Sequence, residues 1–149
     1  MSLLDVGQGD AILVQFPQGE ALLVDTGGSP GAYDVGTRVV TPSASMLGAR
    51  ALTWLALTHG DRDHVGGAYG VVQDLSPREI WEAIPVPGNR DVARVHQLAS
   101  SRGMGWRTVR AGARLEIGEV RIDTIHPIDP DWERQKVRND DSMVLRIRY

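Results

Sequence analysis

His59, Asp61, Asp63 and His64 place two imidazoles and two carboxylates within six residues, in the order His-x-Asp-x-Asp-His. Side chains that alternate along a loop can be aimed at a common point, so His59 and Asp61 are expected to hold one cation while Asp63 and His64 turn to a second. Imidazole and carboxylate without sulfur favour borderline or hard divalent ions such as zinc, manganese or iron over copper(I). The competing explanation is a solvated polar loop that contains two histidines by accident. It leaves two neighbouring carboxylates to repel each other, and a cation between them removes that repulsion.

Further candidates lie elsewhere in the chain. Asp25 follows a run of Leu and Val and precedes Thr26-Gly27. There its carboxylate either accepts hydrogen bonds from the His59–His64 loop and holds a ligand in place, or caps its own loop. His126, before Pro127 at a strand end, either caps and packs there or reaches the site. Asn139-Asp140-Asp141-Ser142 either brings the Asn139 amide and the Ser142 hydroxyl to the same sheet edge as the cluster or forms a polar turn. His96 reads as a helix-face residue, and Asp5 and Asp10, flanking a glycine turn, read as turn chemistry. No cysteine is present, which excludes disulfides, thiolate zinc sites and cysteine nucleophiles. No Gly-x-x-x-x-Gly-Lys-Ser/Thr loop occurs, which removes the P-loop mechanism.

The elements that must position these groups follow from the apolar pattern. Leu52 to Leu57 has no polar alternation and reads as a fully buried strand running straight into Thr58 and the His59 loop. Ala11 to Phe16 and Glu20 to Asp25, separated by Pro17-Gln18-Gly19, predict a hairpin of buried strands, preceded by a short run at Leu3 to Val6 and a tight turn at Gly7 to Asp10. Thr26 to Gly31 is a second glycine-rich loop. Asp34 then caps a helix through Val35, Val39 and Val40 in which Pro42 predicts a kink or break. Ala68 to Leu75 and Asp91 to Ser101 have helical spacing, ended near Pro77 and Gly103. Glu79 to Ile84, Trp106 to Val109, Arg114 to Ile117, Val120 to Ile125 and Met143 to Ile147 are strand candidates. The sum is a mixed α/β chain of layered sheet and helix.

With 149 residues the chain is long enough for one domain with a real core. Lys plus Arg is 16 and Asp plus Glu 19, a net charge of -3, so any grip on phosphates must be local rather than bulk. The basic residues are almost all Arg, with Lys136 the single Lys, and nothing in the linear sequence clusters them, so they read as solvated surface. The four Trp are too scattered for a base-stacking strip and read mostly as core or interface. No apolar stretch approaches the roughly 20 residues of a membrane-spanning helix.

Thr58-His59-Gly60-Asp61-Arg62-Asp63-His64-Val65-Gly66-Gly67 resembles the metal-binding signature of the metallo-β-lactamase superfamily, with Asp61 the telling variant. Leu4-Asp5-Val6-Gly7-Gln8-Gly9-Asp10-Ala11 and Leu23-Val24-Asp25-Thr26-Gly27-Gly28 are similar to the C-terminal hydrolase-like domain of ComEC-type competence proteins, which form DNA-internalisation channels. The resemblance implies an αββα sandwich whose edge loops hold one or two divalent ions, zinc or manganese. By position, His59 and Asp61 match first-metal ligands, and Asp63 and His64 second-metal ligands, with catalysis resting on Asp63. Asp25 matches the supporting aspartate, and Asn139 falls near a position where many members place a further metal-binding His.

Family members continue with a Gly-Asp that carries a bridging carboxylate and a later His-His-Gly-Ser segment; this sequence reaches Tyr149 without either. The expectation is the N-terminal portion of a sandwich, binding metal poorly and turning over little. Part of the Leu- and Val-rich face at residues 11 to 25 and 143 to 147 is then expected to lack cover, with self-association as a remedy. For the whole parent the resemblance implies phosphodiester hydrolysis on single-stranded DNA beside the membrane-channel portion of the same protein. The parent would be integral to the bacterial cell membrane, with this segment a soluble domain. Two other functions stay open: hydrolysis of a small ester, lactone or thioester, and a vestigial module that binds DNA or a partner without turnover.

Overall fold

The computed structural model describes every residue except 30, 32 and 131; residue 30 of the glycine-rich loop at 26–31 therefore lies outside the described residues. A large sheet contains β1 (Ser2–Leu3), β2 (Ile12–Gln15), β3 (Ala21–Val24), β4 (Trp54–Leu57), β5 (Glu79–Glu82) and β6 (Gly105–Thr108), in that spatial order. Its first three strands pair antiparallel and the remainder join in parallel. A small antiparallel sheet follows, of β7 (Arg114–Ile117), β8 (Val120–His126) and β9 (Val144–Arg148).

Parallel strands need crossovers, and these are helical. A π-helical turn, Gly36–Val40, continues into α1 (Thr41–Met46) between β3 and β4; α2 (Arg62–Val65) and α3 (Ala68–Leu75) link β4 to β5; α4 (Arg90–Ser101) links β5 to β6. Asp34 accepts a hydrogen bond from the Thr37 amide at 3.1 Å, the predicted cap. Pro42 does not break the run. It falls in the first turn of α1, where a missing N–H costs nothing, and the helix changes from π to α there. The first strand is shorter than predicted: past Leu3 the chain turns inward and only the Leu4 amide still bonds to Ala11.

The near-continuous hydrophobicity of the central strands reflects burial on both faces. Leu13, Leu23, Leu55 and Ile80 are in register across four strands and face the helices, packing with Val40, Val65, Val71, Val72 and Val95. From the other face Val14, Leu22, Ala56 and Trp81 meet Ile117, Val120, Ile122 and Met143 of the small sheet and its approach. The order of layers is thus helices, large sheet, small sheet, which is the helical layer and both sheet layers of the expected αββα sandwich. Of the four Trp, Trp132 is the exposed one; Trp81 is buried, and Trp54 and Trp106 pack at the core margins.

The small sheet covers more of the Leu/Val face than expected, since Val14, Leu22 and Met143 are buried. Ile12, Val24, Leu145 and Ile147 instead line an open groove of about 340 Å³. The arginines, read as unclustered, are not: Arg114, Arg121, Arg146 and Arg148 converge on Asp123. Strand register does this, pairing Arg114 and Arg146 each with Asp123, and Arg121 with Arg148, across gaps the linear sequence hides. Among the described residues no helix is long and apolar enough to cross a membrane.

Candidate metal centre

The cluster forms where three segments meet at the ends of β3 and β4. Beyond β3, Asp25 keeps its amide in the ladder, donating to Ala56 at 2.8 Å, while its own φ is 56°. That left-handed conformation is unfavourable for a side-chain-bearing residue, and here it turns a 2 % exposed carboxylate toward the end of β4. Thr26 fixes the neighbouring loop, its amide and hydroxyl both donating to the His64 carbonyl at 2.8 and 2.9 Å. Gly28 allows the close approach: a Cβ there would lie 1.9 Å from the Arg62 carbonyl oxygen.

Asp25 Oδ1 accepts from the Thr58 amide at 2.8 Å, and Oδ2 accepts from the Thr58 hydroxyl at 2.6 Å and from His64 Nδ1 at 2.8 Å. A carboxylate only accepts, so His64 Nδ1 carries the proton and, in the neutral ring, Nε2 holds the lone pair. The same logic runs through Thr58. With its hydroxyl proton given to Asp25, its oxygen is an acceptor for His59 Nδ1 at 3.1 Å, which leaves the His59 lone pair on Nε2 as well.

The two rings lie with centroids 4.2 Å apart. His59 Nε2 is 3.4 Å from Asp61 Oδ2, and His64 Nε2 is 4.0 Å from Asp63 Oδ2. Potential ligand atoms of Asp25, His59 and His64 fall within 4.8 Å of one another. Lone pairs facing carboxylates across these distances are repulsive unless a positive charge lies between, so the donor set suits a divalent ion without sulfur ligands. The same preference shows at His64, whose pKa is raised above its ordinary value. The Asp25 hydrogen bond is the largest cause, burial opposes it, and the charges of Asp25, Asp63 and Asp10 add to it.

Ser142 lies beside the cluster: with Asp10, Asp25, Thr58 and His64 it forms the polar lining of the apolar groove. Its segment is tied to the metal loop by the Met143 amide, which donates to the Thr58 carbonyl at 2.8 Å. Asn139 begins the short 3-10 turn Asn139–Asp141 and is exposed. His126 stands apart, its Nε2 2.6 Å from the Asp140 carbonyl oxygen, in a separate cavity with Trp132 and Arg138. His96 packs edge-on against Trp106. Two residues were not singled out as site residues. Thr58, the relay between Asp25 and His59, is marked only by its place directly before His59. Asp10 reads as a turn residue and gives no signal until the fold sets it against His64.

Comparison with known proteins gives the family and the fold. Residues 4–142 match the family model of the metallo-beta-lactamase superfamily. ComE operon protein 3 of Bacillus subtilis (strain 168) is 29% identical over 157 residues, covering 97% of this chain and 20% of that protein. Among solved structures, metallo-beta-lactamase SMB-1 bound to 2-mercaptoethanesulfonate is similar at a TM-score of 0.56 and 20% identity, over 80% of this chain and 47% of that one. Rubredoxin oxygen:oxidoreductase from Desulfovibrio gigas matches at a TM-score of 0.57 and 18% identity, over 94% of this chain and 31% of that one. The chain therefore spans about a fifth of the curated relative and under half of these structures.

Proposed function

The chain belongs to the metallo-beta-lactamase superfamily, and on that footing we propose that, as part of a longer protein and with little turnover by itself, it serves metal-dependent hydrolysis of DNA phosphodiesters, with His59, Asp61, Asp63 and His64 holding one or two divalent ions, zinc or manganese. The observation that carries this reading is the pair of imidazole Nε2 atoms, each facing a carboxylate at 3.4 and 4.0 Å, with their tautomers set from behind by Asp25 and Thr58.

A divalent ion there supplies Lewis-acid polarisation of a phosphoryl oxygen and activation of water for attack. The protein's own groups do the rest. Asp25 holds His64, and Thr58 holds His59, in the ligating tautomer. Asp63, with its side chain 40% exposed, is the carboxylate we assign to receive the proton released as water adds to phosphorus and the ester oxygen leaves. Ser142 offers a hydroxyl to the substrate from the groove wall, while Ile12, Val24, Leu145 and Ile147 give it a dry flank. Asn139 is assigned a lesser part, from the exposed turn that precedes Ser142.

Similarity to a ComE operon protein supports a setting in DNA uptake, in which the domain acts on single-stranded DNA beside a membrane channel carried by the longer protein. The test is product analysis on single-stranded DNA, set against a panel of esters, lactones and thioesters, using the full-length parent protein with zinc or manganese added. DNA cleavage that falls about 10²- to 10⁴-fold in Asp63→Asn supports the reading. Ester cleavage alone replaces it with a small-molecule hydrolase. DNA binding without turnover, unaltered by Asp63→Asn, replaces it with a binding module.

A further inference from the structure

Gly60 separates His59 from Asp61, so its backbone sets how that imidazole and that carboxylate face each other. The Gly60 carbonyl accepts a hydrogen bond at 2.8 Å from the side-chain amide of Asn89, 29 residues further along the chain. Asn89 is also the N-cap of α4, where its Oδ1 accepts from the Val92 amide at 3.2 Å. One half-buried side chain therefore closes a helix with its acceptor and holds the metal loop with its donor. Both tasks need an amide: a carboxylate has no donor, and a serine hydroxyl caps a helix but is too short to span to a second segment.

The sequence delivers Asn89 on a stiff support. Val86-Pro87-Gly88-Asn89 closes a turn in which the Asn89 amide donates to the Val86 carbonyl at 3.2 Å, with Gly88 at φ 81°. Proline second and a left-handed glycine third are what a type II turn requires. Beyond it, α4 is fastened to the core through Val95 and Ala99. On the loop side, the residues flanking His59 and Gly60 are already fixed. Thr58 donates its amide to Asp25 at 2.8 Å and accepts from the Met143 amide at 2.8 Å, and the Asp61 carbonyl accepts from the His64 and Val65 amides at 2.9 and 3.0 Å, opening α2. Asn89 holds the peptide between these two anchored points. Gly60 is a glycine for space: its φ is not left-handed, but a Cβ there would lie 2.4 Å from Asn89 Nδ2 and 3.1 Å from Val137 Cγ2.

We infer that Asn89 is a positioning residue of the metal centre: by holding the Gly60 carbonyl from the start of α4, it sets His59 and Asp61 facing each other before an ion arrives. A loop ordered in advance loses less conformational freedom when the ion binds, so affinity is higher than the same ligands would give on a slack loop. His59, Gly60, Asn89 and Val92 border one small cleft, which places the helix start directly behind the imidazole. The effect on affinity rests on the assignment of His59 and Asp61 as ligands; the tie between helix and loop does not.

The experiment separates the two tasks of Asn89. Asn89→Ser keeps a good cap acceptor and loses the reach to Gly60, whereas Asn89→Ala loses both. Backbone ¹⁵N relaxation of the zinc-free chain reads the Asp61 amide, which belongs to the same peptide group as the Gly60 carbonyl. Its order parameter should be about 0.85 in wild type and below about 0.6 in both variants. Zinc titrations followed in ¹⁵N-resolved spectra should show affinity lowered about tenfold in both. The melting temperature should match wild type in Asn89→Ser and fall by about 2–4 °C in Asn89→Ala. Wild-type zinc affinity or wild-type order at Asp61 in Asn89→Ser reduces Asn89 to a helix cap and overturns the inference. A zinc affinity that merely follows the melting temperature through both variants overturns it too, as does a mobile Asp61 amide in the wild type. If the wild type takes up no zinc while Asn89→Ser still frees the Asp61 amide, the metal reading fails and the tie between α4 and the loop stands.

Discussion

His64 Nδ1 lies 2.8 Å from Asp25 Oδ2, the same oxygen that accepts the Thr58 hydroxyl at 2.6 Å. One buried carboxylate oxygen therefore governs both imidazoles, His64 directly and His59 through Thr58. Asp25→Asn would place an amide where two donors already converge, or present its NH₂ to His64 Nδ1 and invert that ring's tautomer. Zinc affinity should fall about 10- to 100-fold, measured by isothermal titration calorimetry, the range found when groups behind metal ligands are altered.

Thr58→Val separates the relay from the direct contact. Valine keeps the volume near β4 but removes both the proton given to Asp25 and the acceptor for His59 Nδ1. We expect His59, and not His64, to show an altered ring tautomer in ¹⁵N-resolved NMR spectra, with zinc affinity lowered about tenfold. Unchanged spectra at both rings would remove Thr58 from the account.

Gly28→Ala tests how the two loops are locked together. The added Cβ would meet the Arg62 carbonyl at 1.9 Å, so the metal loop or the Asp25 loop must move. Overpacking of this kind costs about 1–3 kcal/mol. Chemical denaturation should show that loss, together with weaker zinc binding even though no ligand has changed.

Acid should weaken the small-sheet approach through Asp141. Its carboxyl is held below the ordinary 3.8, chiefly by the two hydrogen bonds from Arg134 at 2.7 and 2.9 Å, with burial opposing. A carboxylate whose folded pKa is depressed adds stability that is fully present above its unfolded pKa and disappears as pH falls through the folded value. Asp141→Asn, which keeps the side-chain shape and loses the charge, should therefore lower stability near neutrality by about 1 kcal/mol. Its melting temperature should converge on that of wild type as pH drops below about 4, tracked by circular dichroism.

Much of the architecture was legible because it rests on local pattern. The hairpin of Ile12–Gln15 with Ala21–Val24, the buried β4 and the helices α3 and α4 each carry their own periodicity, turn or cap. The site loop was legible for the same reason, its four side chains lying within six residues. What escaped depends on contacts between distant segments. Arg114 and Arg148 look unrelated until β8 aligns both on Asp123. Asp10 gains its place beside His64 only when the glycine turn folds against the metal loop, where a Cβ on Gly9 would overlap the Asp63 carbonyl. The π-helical turn before Pro42 has no marker in the apolar pattern, since Val35, Val39 and Val40 fit an ordinary helix equally well.

Inductively coupled plasma mass spectrometry on the purified protein, dialysed against zinc or manganese, bears most directly on the cluster around His59 and His64. Detectable occupancy by divalent ion, reaching at most one equivalent per chain, is predicted, lost in His59→Ala/His64→Ala while the fold, followed by circular dichroism, persists. No bound ion in the wild type, or occupancy that survives removal of both imidazoles, would contradict it.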